Sequence, residues 1–201
     1  MMSAMHAMFA KELYEHIYLM YGVRLKKNSL IYGSIKPDMT TLFARYPHYI
    51  DNSLDMLCER IEALKDVVIF DRGVKTRAFA RELGVACHYI ADYFCRVHND
   101  INGIKHDEHL AHVIYEQKMN MRISQSYLDV IREKHLNQIE QEIEKIEMND
   151  IKKYILDNHD EYMILAGKKD VCKNKKKQYA IDVEYALKMI LTISSSIVKD
   201  N

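Results

Sequence analysis

Apolar side chains recur three and four positions apart along almost the whole chain, and the strict alternation of a half-buried strand is scarce. The pattern predicts an all-α fold. A first helix is expected from Ser3 to Met20, with Ser3 as its N-cap. The stretch "YGSIKPDMT" (32–40) reads as a turn-rich loop, because it holds one of the two prolines. Further helices are expected from Tyr49 to Lys65 and from Lys75 to Val97, the latter closing at "HNDING", whose Asn, Asp and Gly are stop signals. From Asp107 a very long helical pattern extends to Met148, with a break expected between Ser124 and Ser126. Two last helices, over 149–165 and 178–199, flank the basic stretch "GKKDVCKNKKK", read as a solvated connection. No repeat or low-complexity tract divides the 201 residues, a length suited to one sizeable core, so residues 1–201 are expected to form a single domain.

Composition narrows the function classes. Lys and Arg together number 29, as do Asp and Glu, which argues against a broad nucleic-acid or anionic-membrane footprint. No run of about 18 apolar residues is uninterrupted, so no transmembrane segment is expected. The N-terminal "MMSAMHAMFAKELYEHIYLMYG" is broken by His6, Lys11 and Glu12 and does not read as a signal peptide, so the expectation is a cytoplasmic protein. The four cysteines form no CxxC pair and no disulfide framework. Cys87 and Cys95, eight apart and at nearly the same helical angle, are expected to pack as small hydrophobes.

Ten histidines, many in apolar surroundings, are the unusual feature. In "ACHYIADYFCRVHND" (86–100), His88 and Asp92 stand four apart, on one face of a helix, where they can chelate one metal ion. His98 follows Asp92 by six and is rotated well away on a continuous helix at about 100° per residue, which suits a second ion beside the first. "HLAHVIYEQ" (109–117) offers another pair, His112 and Glu116. The run is H-x3-D-x5-H-x13-H-x3-E, and imidazole with carboxylate suits zinc or another borderline divalent ion. Either pair alone occurs by chance; five ligand-type residues in compatible phase point to a metal site.

That run resembles the zinc-dependent phospholipase C family, whose wider superfamily includes the S1/P1-type nucleases. The resemblance extends over most of the chain and implies a multi-helical domain of that type with two or three zinc ions. Residue by residue, it implies that Asp38, in "SIKPDMT", binds the first zinc and is the catalytic residue that activates water. His48, in "RYPHYI", would join it, and His88 and Asp92 would complete that site. His98, His112 and Glu116 would hold the second zinc, and His6, with Asp92, a third. Secreted members close the third site with a terminal tryptophan; this sequence has no Trp, and Met1 stands five residues before His6. The family spacing favours His112 over His106 and His109. His16 is expected to be a surface or half-buried histidine, His135 and His159 to be solvated, and Asp51 and Asp55 to be surface carboxylates.

The activity implied is hydrolysis of a phosphate ester, with a phospholipid as first substrate. A nuclease or small-molecule phosphodiesterase is the enzymatic alternative, nucleic acid entering only as substrate. A non-catalytic helical module stabilised by metal is the third reading.

Overall fold

A computed structural model describes residues 1–40, 46–67, 74–99, 109–148 and 150–199. Those residues are almost entirely helical and contain no strand, in agreement with the all-α expectation. The helices are α1 (Ser3–Tyr21), α2 (Lys27–Met39), α3 (Ile50–Lys65), α4 (Val74–Tyr93), α5 (His109–Asn120), α6 (Gln125–Leu136), α7 (Ile139–Met148), α8 (Ile151–Ala166), the short α9 (Lys169–Cys172) and α10 (Lys175–Val198). A 3-10 turn, Arg96–His98, follows α4. No described helix is long and apolar enough to cross a membrane.

Helix α4 is the axis of the fold. Every side chain from Leu83 to Phe94 is buried, and α1, α2, α3 and α10 all pack against it. A stretch apolar all round is what such a position requires, and His88 and Asp92, its ionisable metal-ligand types between Leu83 and Phe94 apart from Cys87, are fully buried with it. The second buried element is α10, buried without a break from Met189 to Val198; α1, α6, α7 and α8 pack against this helix besides α4.

Two glycines set how closely α2 approaches α4. A Cβ on Gly33 would lie 2.0 Å from the Arg81 carbonyl oxygen, and one on Gly84 would lie 2.3 Å from the Leu30 carbonyl oxygen. These are backbone atoms that cannot swing aside, so only glycine allows the crossing. The stretch 32–40, expected as a loop, is therefore mostly helix: its glycine is a packing residue and not a turn. Pro37 sits inside α2, has no N–H to give to the Gly33 carbonyl, and the helix ends two residues later at Met39.

Other expectations shift by local chemistry. Ser3 is the first helical residue of α1, not its cap. Helix α1 stops at Gly22, whose φ of 67° lets its N–H reach the Tyr18 carbonyl. Helix α4 ends at Tyr93, short of Val97, because the chain turns into the 3-10 segment. The long pattern toward Met148 breaks at Ser124, which caps α6 by accepting from the Tyr127 N–H. It breaks again at Asn137, a second interruption that periodicity did not reveal. The basic connection 167–177 holds α9 and the first turn of α10, and Asn174 caps α10 by accepting from the Lys176 and Lys177 N–H groups.

Candidate metal centre

The Gly33–Gly84 crossing does more than pack two helices. One turn along α4 from Gly84, His88 donates its Nδ1–H to the carbonyl of Ser34, at 2.8 Å. A carbonyl can only accept, so the tautomer is fixed and the His88 Nε2 lone pair faces inward. One turn along α2 from Ser34, Asp38 brings Oδ1 to 3.5 Å from that Nε2, and the Ser3 hydroxyl donates to its Oδ2 at 3.1 Å. His48 arrives from the segment before α3. Tyr89 on α4 donates its hydroxyl to the Tyr46 carbonyl at 3.0 Å and so ties that segment down. His48 Nδ1 stands 2.9 Å from Asp92 Oδ2 and 3.9 Å from Asp38 Oδ1.

Asp92 is the centre of the cluster. His88 Nε2 is 3.2 Å from its Oδ2, and His6 Nε2, from α1, is 3.4 Å from its Oδ1. The rings of His6 and His88 stack with centroids 3.9 Å apart. His98 also points here, its Nε2 3.4 Å from Asp92 Oδ1. A rotation away from Asp92 would follow from an unbroken helix; the 3-10 turn after Tyr93 swings the imidazole back. Glu116 Oε1 lies 3.4 Å from His98 Nε2 and 2.8 Å from His112 Nε2, completing the second chelating pair across one turn of α5. The Met1 ammonium lies among these groups, bonded to Asp92 and 3.1 Å from Glu116 Oε1.

All eight sequence-singled residues thus meet in one place: His6, Asp38, His48, His88, Asp92, His98, His112 and Glu116. Potential ligand atoms within 4.8 Å of one another form overlapping sets: His6 with His88 and Asp92, Asp38 with His48 and His88, and His48 with Asp92 and His98. A fourth set, Cys95 with His98 and Glu116, includes a residue read as mere packing. Its sequence signal is C-x2-H (Cys95 to His98), which a search for paired cysteines passes over.

The electrostatics are those of ligands. Burial, with His88 beside it, pushes His6 down to about 3, and burial pushes His98 down to about 4 against the pull of Asp92. Both imidazoles are therefore neutral at neutral pH, with a lone pair to offer. Burial alone would raise the Asp92 carboxyl, but the Met1 ammonium and the imidazoles of His98, His6 and His88 hold it well below the usual carboxylate range. Glu116 is held low in the same way, by the Met1 ammonium and by hydrogen bonds from His112 and His98. Buried polar atoms ordinarily find a hydrogen-bond partner. Here His6 Nε2, His88 Nε2 and Asp92 Oδ2 are buried without one. Nitrogen and carboxylate oxygen converging without hydrogen bonds is a donor set that fits zinc. Asp38 and His112, with side chains 24% and 26% exposed, are the most open members and mark the solvent side.

Three other histidines depart from expectation. His16 is fully buried and pairs its Nε2 with the Ser195 hydroxyl at 2.8 Å. His159 is buried and donates to Asn99 Oδ1 at 2.7 Å, while Asn99 donates to the Tyr93 and Cys95 carbonyls and so braces the turn bearing His98. His135 is buried against α10. His16 and His159 take neutral hydrogen-bond partners, whereas His135 lies 4.0 Å from the Glu184 carboxylate. His106 lies outside the described residues. Asp51 and Asp55 are exposed, and Asp55 pairs with Lys152 at 2.7 Å.

Comparison with known proteins adds one finding. The model of a protein family described as zinc dependent phospholipase C matches residues 5–168, well over half of the chain. No curated protein and no solved structure gives a significant match.

Proposed function

The chain belongs to the zinc-dependent phospholipase C family, and on that premise we propose that it hydrolyses a phosphodiester, with a phospholipid as first substrate, at the Asp38–His48–His88–Asp92–His98–Glu116 cluster. His6 and His112 extend the ligand set, and the chain works as one domain of residues 1–201. The observation that carries this reading is the set of buried imidazole nitrogens that face carboxylate oxygens without hydrogen bonds.

Zinc bound here would supply a water ionised near neutral pH and positive charge for the non-bridging phosphate oxygens. The chain supplies the rest. Ser34 fixes the His88 tautomer, and Tyr89 fixes the segment bearing His48. Asp38 is the carboxylate at the solvent side, oriented by Ser3, and is placed to hold the attacking water and accept its proton. The fully buried Asp92 is shared between neighbouring ligand sets.

The test is turnover of phosphatidylcholine, single-stranded nucleic acid and a chromogenic phosphodiester by the zinc-loaded chain. Hydrolysis of phosphatidylcholine that falls at least about 100-fold in Asp38→Asn supports the reading, since loss of one positioned acid–base group is worth about 10²–10⁴-fold. A fully loaded protein that turns over none of the three esters overturns it, and cleavage of nucleic acid alone would move the substrate to the nuclease side.

A further inference from the structure

The metal cluster has a sulfur edge. Cys95 is the extended residue that opens the 3-10 turn Arg96–His98, and its carbonyl accepts the His98 N–H at 2.9 Å. Cys95 is fully buried, and its Sγ lies within 4.8 Å of both a ring nitrogen of His98 and a carboxylate oxygen of Glu116. Ligand atoms around a tetrahedral zinc with bonds of 2.0–2.3 Å stand about 3.5 Å apart, so a small inward movement of side chains closes the set.

The other cysteines have different surroundings. Cys87 faces the Ser194 hydroxyl at 3.7 Å; Cys172 donates to the Ala166 carbonyl at 3.3 Å and accepts from Arg96. Cys58 sits on α3 near Lys152 and Asp55. Cys95 is the cysteine that a C-x2-H spacing and a second chelating pair, His112 and Glu116, bring into a ligand set.

Resting on the metal centre proposed above, we infer that Cys95 is a fourth protein ligand of the second ion, together with His98, His112 and Glu116. Four protein ligands close a zinc site, whereas catalytic sites keep a position open. The second ion is then structural: it clamps the turn after α4 to α5. One thiolate and one carboxylate neutralise its charge, leaving little Lewis acidity. As the zinc–sulfur bond forms, the thiol proton passes to solvent. Water and substrate are left to the side of the cluster where Asp38 is partly exposed.

X-ray absorption at the zinc edge of the loaded full chain tests this. A zinc–sulfur shell at about 2.3 Å is expected in the wild type. It should vanish in Cys95→Ser and survive in Cys58→Ser/Cys172→Ser, and equilibrium dialysis of Cys95→Ser should show one ion held at least about 10-fold more weakly. A loaded wild type with only nitrogen and oxygen neighbours overturns the inference while leaving the metal centre standing. So does a sulfur shell that persists in Cys95→Ser. Absence of bound zinc from the wild type would fail the metal centre and this inference together. If Cys95→Ser does not fold, Cys58→Ser/Cys87→Ala/Cys172→Ser leaves Cys95 as the remaining cysteine, and a sulfur shell in its spectrum supports the inference while its loss overturns it.

Discussion

Two aspartates are buried on central helices of this molecule, and they are treated in opposite ways. Asp182 on α10 is surrounded by donors: the Arg96 N–H at 3.0 Å, the Tyr115 hydroxyl at 2.8 Å and the Tyr162 hydroxyl at 2.9 Å. Burial pushes its carboxyl up to about 6, and its hydrogen bonds, led by the Arg96 N–H, hold it from rising further. Asp92 on α4 is met by the Met1 ammonium and by imidazoles, of which the His6 and His88 Nε2 atoms face it without a hydrogen bond. The first carboxylate is complete within the protein. The second is arranged for a cation. The difference teaches that burial does not distinguish structure from site; the chemical kind of the neighbours does. The two are also joined, because Asp182 grips Arg96, two residues before His98, and Tyr115, beside Glu116.

The sharpest way to break the comparison is Asp92→Asn. It is expected to lower zinc retention at least about 100-fold, given that outer-shell partners alone are worth about 10–100-fold. Dialysis followed by elemental analysis reads this. A chelator should lower the melting temperature of the wild type and leave that of Asp92→Asn nearly unchanged. Retention of the full metal complement by Asp92→Asn would put Asp92 in the same class as Asp182.

Gly33→Ala comes next. Its methyl group meets the Arg81 carbonyl, so α2 must move off α4, and urea unfolding should show a loss of about 3 kcal/mol, the upper range for overpacking. Because α2 carries Ser34 and Asp38, zinc affinity should fall as well. A stability loss with unaltered zinc affinity would mean that the crossing does not set the site.

His16 offers a control, a buried histidine with a protein partner. Burial, with Arg132 nearby, pushes it down to about 4 from an ordinary 6.5. Below pH 6.5 the unfolded chain takes up a proton that folded His16 refuses, so its contribution is present above 6.5 and lost as pH falls toward 4. At about 1.4 kcal/mol per pH unit, this is on the order of 3 kcal/mol. Urea unfolding in chelator should show a shallower acid decline in His16→Gln than in the wild type; equal declines would contradict it.

The smallest effect is Asp182→Ala. It strands one backbone N–H and two tyrosine hydroxyls, and should cost about 2 kcal/mol. Unlike the chelator response of Asp92, this loss should be the same with and without zinc. A loss that disappears in chelator would show that Asp182 acts only through the metal.

Much of this was legible in the sequence because it is local. His88 and Asp92 share one turn of α4, as do His112 and Glu116 on α5, and helical periodicity alone predicts such pairs. The all-α class follows from the same periodicity. What depends on two segments meeting was not legible. Gly33 and Pro37 carry the ordinary signals of a loop, and only the partner residue Gly84 shows that Gly33 serves a crossing. His98 reads as turned away until α4 is seen to end at Tyr93. Cys95 reads as packing until Glu116 arrives from α5. His135 and His159 read as solvated because charged sequence neighbours such as Lys134 and Asp160 are exposed while the imidazoles are buried.

The multinuclear zinc site proposed on α4 can be counted ion by ion. Zinc per chain in the purified wild type, His88→Ala and Glu116→Ala, counted by elemental analysis after dialysis, tests it most directly. Two or three tightly bound ions are expected in the wild type, with a loss in each variant. Fewer than two ions in the wild type, or no loss of metal in His88→Ala and Glu116→Ala, would contradict it.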